Sequence, residues 1–292
     1  MSEARAYQVA DWNGRNGDQW VANQDRLDHM LAAFGDAAIA AAVPRSGERV
    51  LDIGCGAGAT SLAIADRVGP EGHVRGVDIS EPLIARARDA APPGAPMSFE
   101  LADAARAALP AQCFDLLFSR FGVMFFDDPV AAFAHMRAAL KRNGRLAFVC
   151  WRAASENDWV RLPMEAVRDL VPPSPPPDPE APGPFSFGDR NRIAHILTAA
   201  GFTEVDIAPF DHNLPFGRGA TRAEAIENAV DLAFQVGPLS RVLIDQPDSV
   251  CRRAADALRS AFAARPGEGS VMIDGAAWIV TARNRGVRSD GS

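Results

Sequence analysis

A chain of 292 residues, 48% hydrophobic and 23% charged, is ordinary for a soluble globular protein. It is long enough for one elaborated α/β domain whose core needs no covalent staples. A net charge of −7 argues against a general nucleic-acid surface, which would be basic, and no run of about 18 apolar residues suggests a membrane span.

The four cysteines, Cys55, Cys113, Cys150 and Cys251, form no CxxC pair and no zinc-spaced cluster. The opening MSEARAYQVADWNG has no apolar signal region. A reduced, cytoplasmic protein is the expectation. Residues 1–43 read as helical, with Leu27, Met30, Leu31 and Phe34 at helical spacing. Pro44 to Glu48 then turn the chain into its first strand. That strand opens RVLDIGCGAG (49–58), a short apolar run holding Asp52 and followed by Gly54, Gly56 and Gly58. Glycines permit a sharp strand-to-helix turn and let a ligand lie on the backbone. The spacing is G-x-G-x-G rather than the G-x-G-x-x-G of dinucleotide binders. An acid two residues before the first glycine is a poor neighbour for a phosphate and a better one for a cationic or zwitterionic ligand.

HVRGVDIS (73–80) reads as a second strand ending in Asp78, and FELADAA (99–105) as a third ending at Asp103. Asp52, Asp78 and Asp103 are spaced 26 and 25 residues apart, the length of a βαβ unit. Ligands of open α/β sheets sit beyond the carboxyl ends of the strands, so the three acids converge on one crevice. Ser80, Glu81 and Pro82 start the helix after the second strand. FDLLFSRFGVMFF (114–126) reads as a fourth strand and GRLAFVCW (144–151) as a fifth. Between them, Asp128 caps a helix, Pro129 takes its first position, and Asn143-Gly144 close it. Its apolar face is Val130, Phe133, Ala134, Arg137 and Leu140, with Arg137 snorkelling and His135 solvated. Capping accounts for Asp127 and Asp128 better than metal binding does.

PPSPPPDPEAPGP (172–184) is an extended loop, read either as a mobile linker or as a lid. Residues 188–200 form a helix with Ile193, Ile196 and Leu197 inward, and 202–210 a sixth strand. A capping box at Thr221 and Glu224 opens a helix over 221–236, with Ile226, Val230 and Phe234 in line. A second helix covers about 248–264, and 271–284 is a seventh strand.

The acid and G-x-G-x-G, the strand-end acids and this order of elements resemble the class I S-adenosylmethionine (SAM)-dependent methyltransferases. Within them the likeness is greatest to the small-molecule branch that includes ubiquinone and menaquinone C-methyltransferases. LKRNGRLAF (140–148) is similar to that family's Leu-Lys-Pro-Gly-Gly-Arg-Leu segment, with Arg142 and Asn143 where Pro and Gly are usual. The motifs cover roughly residues 45–152; beyond that only the order of elements agrees. The resemblance implies an α/β, Rossmann-like, seven-stranded and mostly parallel sheet. Strand seven is antiparallel, helices lie on both faces, and a helical insert at about 220–264 separates strands six and seven. Residues 1–43 would form a segment over the cofactor and 44–292 the methyltransferase domain.

It also implies roles. SAM would be the cofactor and S-adenosylhomocysteine the product. Asp78 would take the ribose diol, and Ile79 one adenine face. Asp103 would accept from the adenine amino group, beside the Ala104 N–H. Gly54, Cys55, Gly56 and Gly58 would line the methionine moiety. Asp52 would favour the ammonium or brace the glycine loop, and Ser119 would present its carbonyl nearby. Asp78 and Asp103 could instead serve as a helix cap and a turn acid. Trp12 and Trp20 would cover the cofactor or pack the N-terminal helix. Arg120 would pair with the cofactor carboxylate or snorkel at the sheet edge. An apolar wall follows strand four where an amino-methylating motif would stand. The acceptor is therefore expected to be small and mainly apolar or aromatic, in a pocket of Arg120, Phe121, Phe125, Phe126, Trp151, Trp159 and Phe234. No motif marks a catalytic base among His29, His195 and His212, no metal site is expected, and the oligomeric state is open. The rival readings are a nicotinamide-dependent oxidoreductase and a non-catalytic SAM-binding protein.

Overall fold

The computed structural model describes residues 3–172 and 178–285. Seven strands form one sheet: β1 (Arg49–Ile53), β2 (His73–Asp78), β3 (Met97–Leu101), β4 (Phe114–Arg120), β5 (Leu140–Trp151), β6 (Thr203–Arg218) and β7 (Ser270–Arg283). Their order is β3-β2-β1-β4-β5-β7-β6. The five strands from β3 to β5 are parallel, and β7 runs antiparallel between β5 and β6. This is the Rossmann-like, mostly parallel sheet with an antiparallel seventh strand that the resemblance implies. β1 and β4 lie in its middle, which is why Val50, Leu51, Leu116 and Leu117 are all fully buried.

Among the described residues eleven α-helices pack around the sheet. Three precede β1: α1 (Glu3–Trp12), α2 (Arg15–Ala22) and α3 (Gln24–Ala42). α3 places Leu27, Leu31, Phe34, Ala38 and Ile39 on one stripe and buries it against β4 to β7. Each Leu or Phe buried there contributes about 1.5–3 kcal/mol. The crossover helices are α4 (Ala59–Val68), α5 (Glu81–Ala90) and α6 (Pro129–Ala139). α7 (Asp158–Ala166) and α8 (Arg190–Ala199) follow β5, and α9 (Arg222–Gln235), α10 (Pro238–Val242) and α11 (Asp248–Ala263) separate β6 from β7.

Several expectations shift. The third strand stops at Leu101, so Asp103 lies in the turn beyond it. The fourth ends at Arg120 and gives way to a 3-10 turn over Val123–Phe125. α6 ends at Ala139 rather than at Asn143-Gly144, because β5 begins at Leu140. Asn143 and Gly144 instead shape a bend early in β5, where the Asn143 N–H donates to the Asn284 carbonyl at 2.8 Å. The buried face of α6 is Ala132, Phe133, Met136 and Ala139, so Ala134 turns outward. His135 is half-buried rather than solvated, with Nε2 2.9 Å from the Ala107 carbonyl. Arg137 runs past Gly201 and donates to the Ala200 carbonyl and Asn284 Oδ1, both at 2.9 Å. β6 is 16 residues long, well past residue 210. α7 was not anticipated, since Pro163 stands inside it. The caps at Asp128 and Thr221 form as expected: Asp128 accepts from the Ala131 N–H, and Thr221 with Glu224 makes the reciprocal pair. All four cysteines are free thiols.

Candidate functional site

At the carboxyl ends of β1, β2 and β4 lies a cavity of about 900 Å³. That is near the upper end of the roughly 300–1,000 Å³ usual for a small-molecule site. Its floor at one end is the glycine loop. Gly54 has φ +63, and a Cβ on it would stand 2.7 Å from the Gly122 Cα. The loop and the end of β4 therefore touch backbone to backbone. Gly56 has φ +55, and a Cβ there would meet nothing within 4 Å. The Gly56 face opens into the cavity.

Asp78 ends β2 beside this loop. Its Oδ2 accepts the Gly56 N–H and its Oδ1 the Ser80 N–H, both at 2.9 Å. The carboxylate thus braces the glycine loop and the start of α5 together. Ile79, Asp103 and Ala104 line the same end. Asp103 Oδ1 also accepts the Ala105 N–H at 3.0 Å, the turn bond expected of an acid there.

The roof of this end comes from the N-terminal helices. Trp12 and Trp20 meet edge to face at 5.4 Å, and Trp12 meets Phe125 at 5.7 Å. Asn13 fixes the roof to the sheet: its Nδ2 donates to the Ile79 carbonyl and its Oδ1 accepts the Glu81 N–H, both at 2.8 Å. The Ser80 hydroxyl donates to the Trp12 carbonyl at 2.7 Å. Ser80 therefore spends its side chain on the roof instead of capping α5. At the far end Asn23 Nδ2 donates to Gln235 Oε1 at 2.6 Å, Arg26 pairs with Asp231 at 2.9 Å, and Arg241 pairs with Asp11 at 3.1 Å. These bonds tie the N-terminal helices to α9 and α10.

The other end of the cavity is aromatic. Phe121 stacks on Trp151 at 4.1 Å, Trp151 meets Trp159 at 5.5 Å, and Trp159 stacks on Phe185 at 5.4 Å. Phe121 has φ +60, a strained backbone for a residue with a side chain. Arg120 lines the space between the two ends, with its Nη2 2.7 Å from Asp28 Oδ1. The arginine satisfies a carboxylate from α3 rather than snorkelling into solvent.

Of the residues singled out by sequence, Gly54, Cys55, Gly56, Asp78, Ile79, Asp103, Ala104 and Trp20 line the cavity, as do Arg120, Phe121, Phe125 and Trp151. Four do not. Asp52 is fully buried behind the loop, its Oδ2 accepting the hydroxyls of Thr60 at 2.8 Å and Ser61 at 2.6 Å. Thr60 itself reaches the cavity. Burial, only partly offset by those hydroxyls and by Arg120, pushes the Asp52 carboxyl up to about 6. Gly58 caps α4 and faces the Phe99 ring. Ser119 is buried, its hydroxyl donating to the Ile53 carbonyl at 2.7 Å and accepting the Gly122 N–H at 3.1 Å. Phe234 is half-buried against the core. Leu232, Gln235 and Val236 turn to the cavity instead, the i, i+3, i+4 face opposite to it. Phe234→Ala is accordingly expected to lower thermal stability by about 1–3 kcal/mol, less than full burial would give, and to leave ligand affinity unchanged. A folded variant with normal stability and weakened acceptor binding would return Phe234 to the pocket.

The sequence offered no signal for Asn16, Gln19, Gln24 and Asp28 on α2 and α3, or for Arg192 on α8, all of which line the cavity. Their helices read only as amphipathic. None of the five histidines lines it, and His29, His195 and His212 are exposed. Among the described residues no cluster of three or more His, Cys, Asp or Glu could hold a metal ion, and no helix is long and apolar enough to cross a membrane. Residues 173–177 of the proline-rich segment lie outside the described residues; from Asp178 to Gly188 the chain edges the aromatic end.

Residues 50–144 match the methyltransferase-domain family. The chain is 36% identical over 172 residues to a nocamycin O-methyltransferase from Saccharothrix syringae, covering 56% of this chain and 61% of that protein. It is 37% identical over 134 residues to an aklanonic acid methyltransferase from a Streptomyces species, covering 45% and 61%. The chain thus spans about three fifths of the length of these relatives. A solved protein from Bacillus halodurans, provisionally assigned as a methyltransferase, superimposes with a TM-score of 0.53 at 18% identity over 86% of this chain and 99% of its own. At that identity the likeness concerns the fold alone.

Proposed function

From a chain that carries a methyltransferase domain over residues 50–144 on a Rossmann-like methyltransferase fold, we propose a SAM-dependent methyltransferase acting on a small, mainly apolar or aromatic molecule. One observation supports this most. The open Gly56 face, the Asp78 carboxylate and the Asp103–Ala104 turn border one end of a cavity whose other end is aromatic. The two relatives, named for nocamycin and aklanonic acid, support a small-molecule acceptor.

The residues suit the cofactor. An open glycine face with positive φ fits the methionine chain lying on the backbone. The Asp78 carboxylate, at the end of β2 in the cavity wall, suits a ribose diol, and the Asp103 carboxylate with the neighbouring amides suits an adenine edge. Arg120, in the cavity wall, suits a carboxylate, and it would have to share or leave Asp28. When bound, SAM supplies a methyl group activated by its sulfonium. The protein's part is alignment and the exclusion of water. The Trp12–Trp20 roof and the bonds from the N-terminal helices to α9 and α10 would serve that exclusion.

Calorimetry with SAM and with NAD tests the reading. SAM should bind and stabilise the protein and NAD should not; the reverse would favour the oxidoreductase. Asp78→Ala should weaken SAM by about 1.5–3 kcal/mol, the scale of bonds to a charged group. Unchanged affinity in a folded variant would remove Asp78 from the site. Incubation with labelled SAM and host extract should yield a labelled small molecule. Binding with no product from any extract would favour a non-catalytic SAM-binding protein.

A further inference from the structure

Four buried side-chain atoms lack a hydrogen-bond partner among the described residues: Arg26 Nε, Asp52 Oδ1, Trp159 Nε1 and Arg265 Nε. The two arginines bond through their other nitrogens to Asp231 and Asp158. Asp52 lies behind the glycine loop. Trp159 alone of the four lines the cavity. An indole N–H is a pure donor and ordinarily finds a partner when buried. One left empty beside a ligand cavity calls for an acceptor brought by the ligand.

The surroundings restrict that ligand further. Trp159 stands between Trp151 and Phe185, with its plane 27° from the Phe185 ring. Phe121 extends the series, lying 15° from the plane of Trp151. Gly237, at φ +93, faces the benzo edge of the indole, where a Cβ would stand 3.4 Å from Cζ3. Flat, apolar faces favour a flat, apolar ligand. A donor-only group at their edge favours a lone pair over an N–H. Nε1 is sealed from solvent, so an incoming oxygen reaches it by displacing part of this wall, and Phe185 is the ring stacked against it.

We propose that Trp159 determines acceptor specificity by donating its Nε1–H to a ring-borne oxygen on a planar polycyclic acceptor, held in the aromatic end of the cavity. The proposal rests on the methyltransferase reading and adds the acceptor's chemistry to it.

A matched pair of probes isolates the oxygen: anthraquinone-2-sulfonate and anthracene-2-sulfonate share size and charge and differ in two ring carbonyls. With SAM or S-adenosylhomocysteine present, the wild-type protein should bind the anthraquinone about five- to tenfold more tightly, the scale of one buried hydrogen bond. Trp159→Phe keeps a ring and removes the donor, and should bring that ratio to about one. Its melting temperature should hold or rise, because an unpaired buried donor is gone. The wild type also gives a readout without mutation. Of its five indole Nε1–H signals in a nitrogen-15 spectrum, one should move downfield with the anthraquinone and stay put with the hydrocarbon. A ratio unchanged in Trp159→Phe, wild-type binding of neither probe, or no indole signal selective for the anthraquinone would overturn the proposal. SAM is titrated separately. Failure of SAM to bind removes the methyltransferase reading, whereas normal SAM binding with no oxygen preference removes only this inference.

Discussion

Gly54→Ala is expected to destabilise the protein by about 3 kcal/mol or more, while Gly56→Ala, two residues on, should leave it folded with weakened SAM binding. Both glycines have positive φ, so each alanine carries roughly 1–2 kcal/mol of backbone strain. Only at position 54 does the new Cβ also strike backbone, 2.7 Å from Gly122. Neither partner there is a flexible side chain, so the loop or the end of β4 must move. That movement strains the Gly54 N–H bond to the Val77 carbonyl, 2.9 Å in the native fold, and adds overpacking of about 1–3 kcal/mol. At position 56 the methyl enters open space, which is the space the methionine chain is proposed to fill. Thermal melts should separate the two variants by several degrees, at roughly 2–4 °C per kcal/mol for a protein of this size or somewhat less. Calorimetry should show at least about a tenfold loss of SAM affinity for Gly56→Ala, equivalent to some 1.4 kcal/mol. If Gly56→Ala binds SAM as the wild type does, the cofactor does not lie on this loop. If Gly54→Ala melts normally, the contact with Gly122 yields more easily than its geometry implies.

Asp52→Asn should change how stability depends on pH. The Asp52 carboxyl is pushed up from an ordinary 3.8 to about 6 in the folded protein, chiefly because burial disfavours the charged form. A carboxyl raised on folding binds more protons folded than unfolded between those two values. Its contribution to stability therefore falls as pH rises from about 4 to 6, and the full penalty stands above 6. Two units correspond to about 3 kcal/mol. Asparagine keeps an acceptor for Thr60 and Ser61 but adds buried N–H groups at the unpartnered Oδ1 position. That cost is constant with pH and cancels when the two curves are compared. The stability of Asp52→Asn relative to wild type should therefore increase by about 3 kcal/mol between pH 4 and pH 7. Denaturant unfolding at several pH values measures it, and parallel curves for the two proteins would show that Asp52 titrates as an ordinary carboxyl.

The half of the candidate cavity bordered by β1, β2 and β4 was legible because its residues are set by local pattern. Asp52, Gly54, Gly56, Asp78 and Asp103 sit at strand ends whose spacing repeats along the chain, and the topology of parallel strands brings strand ends together. The rest of the cavity was less legible because part of its wall comes from helices and loops. An amphipathic stripe says that a helix face is buried, not which neighbour it meets. That is why Phe234 was placed in the pocket while Leu232 and Val236 occupy it, and why Asp28 went unremarked. The face of α6 was misread for a related reason. Its hydrophobic pattern is nearly uniform, with Ala at five of eleven positions, so periodicity could not fix its rotation. Trp159 was visible as an aromatic candidate, but its unpaired donor depends on a helix interrupted by Pro163, which no local pattern announced.

The position of β7 bears on the order in which the protein can be assembled during synthesis. Of the seven described strands β7 is made last, yet it lies between β5 and β6, and β6 pairs with no other described strand. The parallel sheet of β1 to β5 can close as soon as residue 151 emerges. β6, though made some 50 residues earlier than β7, must wait with its ladder unpaired. The first-made helices wait as well, because the stripe on α3 is buried against β5, β6 and β7 together. The nascent chain therefore carries an apolar helical stripe and an unmatched strand edge until β7 arrives to cover both.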